Sequence, residues 1–147
     1  MTTTQETPSV DWASLAAQAQ PRRKTVALCL RGDLAADLEA AEDTGDGARV
    51  EELTAAVHAA TVTFTVQGLT RDKYRTLEAQ HPDPDGGSGW NVDTFPEALV
   101  RACLVTPVVA AEDPLFAVLT PAQVERLFEA AFLACNEVDD LPLRKRG

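Results

Sequence analysis

ThrValThrPheThrVal, residues 61–66, decides the fold. β-Branched residues alternate along it, the pattern of a strand with one face buried. A weaker copy of that signal lies upstream in residues 24–30, where Val26, Leu28 and Leu30 alternate with smaller side chains. Two strands imply a small sheet. Between them the sequence changes period. AspLeuAlaAlaAspLeuGluAlaAlaGluAsp (33–43), the turn Thr44-Gly45-Asp46-Gly47 and AlaArgValGluGluLeuThrAlaAlaValHisAla (48–59) predict two helices around a glycine turn. Leu34, Leu38 and Ala41 would face Val50, Leu53 and Val57, leaving Glu39, Glu42, Glu51 and Glu52 on the solvated side. Only this hairpin joins the strands, so antiparallel pairing is expected, with parallel pairing as the alternative.

Downstream the chain reads as helices. Thr70 can cap a helix carrying Tyr74 and Leu77, which Pro82 and Pro84 bring to an end near His81. HisProAspProAspGlyGlySerGly (81–89) is then a loop. Thr94 and Glu97 have capping-box spacing, opening a helix over 94–105 that Pro107 terminates. Thr120 and Gln123 repeat that spacing with Pro121 at the first helical position. Val124, Leu127, Phe128, Ala131, Phe132 and Cys135 follow as one apolar stripe, whose first use is core packing.

The expected fold is α+β and helix-dominated: a small two-stranded sheet, a helical hairpin and a C-terminal helical bundle. Residues 1–20 form a mobile tail and a short helix capped by Asp11, with Trp12, Leu15, Ala16 and Ala19 at helical spacing. Residues 21–140 form one domain, and 141–147 a basic tail. At 147 residues the chain has room for one modest core.

Composition narrows function. A net charge of −10 and a pI near 4.5 repel phosphate backbones, which argues against nucleic-acid partners. Aromatics make up only 5% of the chain, too few for a large aromatic-lined substrate pocket. Cys29, Cys103 and Cys135 are odd in number, far apart and set among aliphatic residues, so they read as buried free thiols in a reducing compartment. No apolar run is long enough to span a bilayer and the start lacks a signal-peptide pattern, so the cytoplasm is expected, with no membrane partner.

No constellation for catalysis emerges. Apart from Asp83 and Asp85 beside His81, neither His58 nor His81 has a ligand at metal-site spacing, and the Asp83-Asp85-Gly86 run fails the calcium-loop pattern. Gly86-Gly87-Ser88-Gly89 follows a proline turn instead of a strand, unlike a phosphate-binding loop. The pairs Glu51-Glu52 and Asp139-Asp140 have nothing beside them in sequence to shift their acidity. The reading is a non-enzyme without cofactor or metal.

The order of features carries more than any single one. ThrPheThrValGlnGlyLeuThrArgAspLysTyrArgThrLeuGluAlaGlnHisPro (63–82), TrpAsnValAspThrPheProGluAlaLeuValArgAlaCysLeuValThrPro (90–107) and LeuThrProAlaGlnValGluArgLeuPheGluAlaAlaPheLeuAlaCysAsn (119–136) follow one another. This succession resembles the tail assembly chaperones of long-tailed phages that infect actinobacteria. The similarity runs over about residues 61–136, with ValAlaLeuCysLeuArgGlyAspLeu (26–34) and the hairpin as weaker support. The motif is diffuse and no catalytic residue anchors it. The resemblance implies a protein that binds the tape measure protein, helps tail-tube protein polymerise around it and is absent from the mature virion. Many such phages also make a longer form by ribosomal frameshifting. Homo-oligomerisation is compatible with this reading. The competing expectation is a structural head-tail connector or tail terminator of the virion. For partner binding the exposed candidates are Trp90, Phe95, Phe116 and the outer face of the last helix, with Leu127, Phe128 and Phe132.

Overall fold

The computed structural model describes residues 9–138; residues 1–8 of the expected tail at 1–10, and the basic tail at 141–147, lie outside the described residues. Helix α1 (Trp12–Gln18) is capped by the Asp11 carboxylate, which accepts the Ser14 N–H at 3.2 Å, and buries none of its residues. Strand β1 (Arg23–Cys29) then pairs antiparallel with β2 (Thr61–Gln67) in an unbroken register from Arg23 opposite Gln67 to Cys29 opposite Thr61. The sequence expectation of antiparallel pairing holds for a plain reason. The connecting helices α2 (Gly32–Thr44) and α3 (Gly47–Ala59) run out and back, returning the chain beside its starting point.

The hairpin turns at Gly45, whose φ of 71° is the left-handed conformation that closes a helix C-terminus at little cost only for glycine. Asp46 then caps α3 by accepting the Arg49 N–H. Ala41 and Leu53 are the buried residues of the two helices, each from the stripe that the sequence placed inward.

One face of the sheet is dry and the other wet. Val26, Phe64 and Val66 point into the core, while Thr25, Ala27 and Thr63 alternate with them on the solvent side. Over the dry face lie α5 (Phe95–Cys103) and α7 (Pro121–Asn136), packed against each other, with α4 (Arg71–Gln80) against α5. Their Leu99, Val100, Cys103, Leu127, Ala130 and Ala131 complete a single core with the strands.

The expectation of two strands is corrected to three. Strand β3 (Leu104–Thr106) follows α5 directly and pairs antiparallel with β2, Leu104 opposite Val66 and Thr106 opposite Thr65 with a register irregularity between. The sheet order is therefore β1-β2-β3. The sequence extended the helix to residue 105 because Leu104 and Val105 prolong its apolar run. Pro107 disfavours helical backbone at Thr106, and the open edge of β2 offers the extended chain hydrogen-bonding partners. The described residues also contain a short helix α6 (Leu115–Val118), which sequence periodicity did not disclose.

The two expected capping boxes part ways. At α7 the box is complete: the Gln123 N–H donates to Thr120 Oγ1 at 3.2 Å and the Thr120 N–H donates to Gln123 Oε1 at 3.0 Å. Gln123 Nε2 also donates to the Cys29 carbonyl at 3.1 Å, tying the cap to the end of β1. Thr120→Ala is expected to destabilise the protein by about 1 kcal/mol, read as a lowered urea midpoint with an unchanged slope. At α5 no box forms. Thr94 has helical backbone angles and makes no side-chain cap; its Oγ1 lies 2.9 Å from His81 Nδ1, and Glu97 reaches forward to Arg101 at 3.4 Å. A tertiary partner has displaced the local one.

Candidate functional site

The segment between α4 and α5 folds back instead of looping freely. Pro82 and Trp90 form an isolated antiparallel bridge, and the Asn91 N–H donates to the His81 carbonyl at 2.8 Å. Inside this bend the Asp83 carboxylate accepts the Asp85 N–H and the Asp83 carbonyl accepts the Gly86 N–H, so the acidic residue organises a turn. Among the described residues no group of three or more His, Cys, Asp or Glu is placed to hold a metal ion.

The bend delivers Trp90 to the start of α5. Its ring lies 4.7 Å from that of Phe95, 6.3 Å from Phe128 and 5.9 Å from Phe132, measured between centroids. Tyr74 meets Phe95 edge-on at 5.9 Å from the other side. Such offset and edge-to-face pairs contribute beyond the area they bury, so the cluster forms a stiff wall.

Outside that wall lies a groove of about 720 Å³. Trp90, Val92, Pro96 and the flank of Glu97 form one side; Phe116 and Leu119 from α6 and its exit, and Val124 and Phe128 from α7, form the other. Its floor is apolar, and Asp93, Glu97 and Glu125 stand on its rim. Arg101 covers the Phe116 ring at 4.2 Å and pairs with Glu97, which neutralises part of the rim. Asp93 and Glu125 remain exposed. Val92, at 75% exposure, and Val118, at 70%, add apolar surface at and beside the opening. The arrangement can take up an apolar stripe and attract cations beside it; a nucleophile with an adjacent base is absent from its lining.

The predicted binding residues separate into two sets. Trp90, Phe116 and Phe128 converge on the groove, Trp90 and Phe128 half-buried, whereas Phe116 corrects the expectation of exposure: it is buried in the core at 8%. Phe95 and Leu127 correct the expectation of exposure: both are at 0% and belong to the core. Phe95 is enclosed because α5 begins at that residue and turns its first side chain inward, beneath Trp90. Phe132 is half-buried behind Trp90 and does not line the groove. Val92, Pro96, Leu119 and Val124 were missed. Val124 belonged to the apolar stripe already assigned to the core and Pro96 was read only as part of the first turn of α5, whereas Val92 and Leu119 lie in short stretches without periodicity.

The three cysteines divide similarly. Cys103 is buried, but Cys29 and Cys135 are only partly covered, correcting the expectation of three buried thiols. Among the described residues no helix is long and apolar enough to cross a membrane. Compared with known protein families, curated proteins and solved structures, the chain matches none.

Proposed function

We propose that this protein is a tail assembly chaperone that holds a helical segment of a phage tape measure protein in the groove between the 90–97 segment and the first half of α7. The carrying observation is the groove itself: an apolar floor built from Trp90, Phe116 and Phe128, open to solvent and rimmed by the exposed carboxylates of Asp93 and Glu125. An amphipathic helix docks in such a groove through apolar residues spaced three and four apart. The charges of Asp93 and Glu125 select a helix with Lys or Arg flanking its stripe. The identity of the partner rests on the ordered resemblance of residues 61–136 to phage tail assembly chaperones.

In mechanism the chaperone works by covering surface. A long helical tape measure exposes apolar stripes until tail-tube protein encloses it, and a chain of net charge −10 bound to those stripes keeps the complex dispersed. Release follows when tube subunits compete for the same stripe. On this reading the protein acts in the host cytoplasm during assembly and is absent from the finished virion.

Co-expression with the tape measure protein encoded beside it tests the proposal. A soluble complex that forms only when this chain is present is the expected result. An insoluble tape measure, with this chain alone in a closed ring, would instead make it a head-tail or tail-terminator component. Within a complex, Val92→Ser is expected to weaken binding by about tenfold, equivalent to ~1.4 kcal/mol, because it removes apolar surface from the groove opening without changing its charge. Its urea midpoint should stay at the wild-type value, since Val92 is exposed in the free protein. Unaltered affinity in the stably folded variant would move the binding surface elsewhere.

A further inference from the structure

Away from the groove, where α5 and α7 end, two cysteines from different helices meet. Cys103, the last residue of α5, and Cys135, the penultimate residue of α7, have their sulfurs 3.8 Å apart. The β2–α4 connection presses on the same spot, and the Leu69 N–H donates to Cys135 Sγ at 3.2 Å. Cys29 has no such neighbour; its sulfur lies against the Arg31 and Val57 carbonyls. We propose that Cys103 and Cys135 form a thiol–disulfide exchange site, in which Cys135 is the attacking thiol, Cys103 the resolving thiol and a small-molecule disulfide the co-reactant.

The roles follow from surroundings. Cys135 is the more exposed of the pair and accepts the Leu69 N–H, and it shares with Cys103 a sulfur–sulfur hydrogen bond in which either thiol can donate. With Cys103 donating, both contacts favour the Cys135 thiolate, chiefly the one from Cys103, and draw its pKa down to about 7. Cys103 is held as the thiol by the hydrogen bond it gives and by burial. Beside the pair opens a pocket of about 300 Å³ lined by Gly68, Leu69, Lys73 and Cys103 itself. Cys135 does not line this pocket, so the small disulfide meets Cys135 on that residue's own partly exposed side, while Lys73 lines the Cys103 side of the pair.

The chemistry balances with that co-reactant alone. The Cys135 thiolate attacks one sulfur of the small disulfide, breaking its S–S bond and releasing one small thiolate. This thiolate, or water, takes the Cys103 proton. Cys103 then attacks Cys135 Sγ, forming the internal disulfide and expelling the second small thiolate, which is protonated from solvent. Two protein thiols are oxidised and one small disulfide is reduced to two thiols. The new bond staples α5 to α7, the helices whose opposite ends carry Glu97 and Val124 of the groove. The inference stands independently of what the groove binds.

The test incubates the reduced full chain with oxidised glutathione, followed by intact mass and peptide mapping without reductant. The expected product is lighter by two hydrogen atoms, has Cys103 joined to Cys135, leaves Cys29 open to alkylation and reverts with dithiothreitol. Cys103→Ser should accumulate glutathione on Cys135, whereas Cys135→Ser should neither link nor take up glutathione at Cys103. Stable glutathione adducts on the wild-type chain without an internal link would overturn the proposal, as would reaction at Cys29 alone or no reaction at all. Mapping of the wild-type chain decides the matter even if a serine variant fails to fold.

Discussion

Gly68→Ala is expected to be among the most damaging single-methyl changes in the molecule, lowering stability by roughly 3 kcal/mol, the upper part of the range for overpacking. A β-carbon at Gly68 would stand 2.2 Å from the Ala134 carbonyl oxygen and 2.7 Å from its carbon. These are backbone atoms of α7, so no rotamer change relieves the contact. Either α7 lifts from the sheet, opening the core around Leu127 and Ala131, or the β2–α4 connection retreats and loses the bond from the Gly68 N–H to the Arg22 carbonyl. Both outcomes also remove the Leu69 donor from Cys135. Against a total stability of about 5–15 kcal/mol for a domain, the urea midpoint should fall by a large fraction. Gly89→Ala is the control. Its added carbon would meet nothing within 4 Å, so its midpoint should stay near wild type. Similar losses for both variants would show that the clash at Ala134 is not what restricts residue 68.

That glycine also shows where sequence reading stops. GlnGlyLeuThr (67–70) reads as the end of a strand and the start of a helix, which is correct, yet nothing local says that a distant helix lies on the glycine. Local signals were legible where the partner lay within a few residues. The Thr120 box, the Asp11 and Thr70 caps and the Gly45 turn were read because each is completed by near neighbours. The Thr94 box failed because His81 competed for its hydroxyl, and β3 was missed because its only partner is β2. The site followed the same rule. Aromatic identity flagged Trp90, Phe116 and Phe128, but which rings face outward depends on how the 81–94 bend folds. Phe95, just past that bend and just as apolar, went to the core.

Phe95→Ala is the other change with a large expected effect, a loss of about 3–5 kcal/mol. The ring is at 0% exposure and touches Tyr74, His81, Trp90 and Phe128, so truncation opens a cavity where four rings from separate segments converge. Collapse is poor there, because Trp90 is fixed by its bridge to Pro82 and Phe128 by α7. Fluorescence gives a local readout. Of the two tryptophans, Trp12 is already 75% exposed, so a red shift of native emission in the variant reports chiefly on Trp90. Phe95→Leu keeps most of the volume and should lose about half as much stability or less, leaving a folded protein for binding experiments. In that protein, tape measure capture should weaken although Phe95 lies outside the groove lining, since the residue acts through the position of Trp90. Phe95→Leu with shifted Trp90 emission but full capture would remove Trp90 from the binding surface. Full stability of Phe95→Ala would mean that the aromatic wall is held by α7 alone.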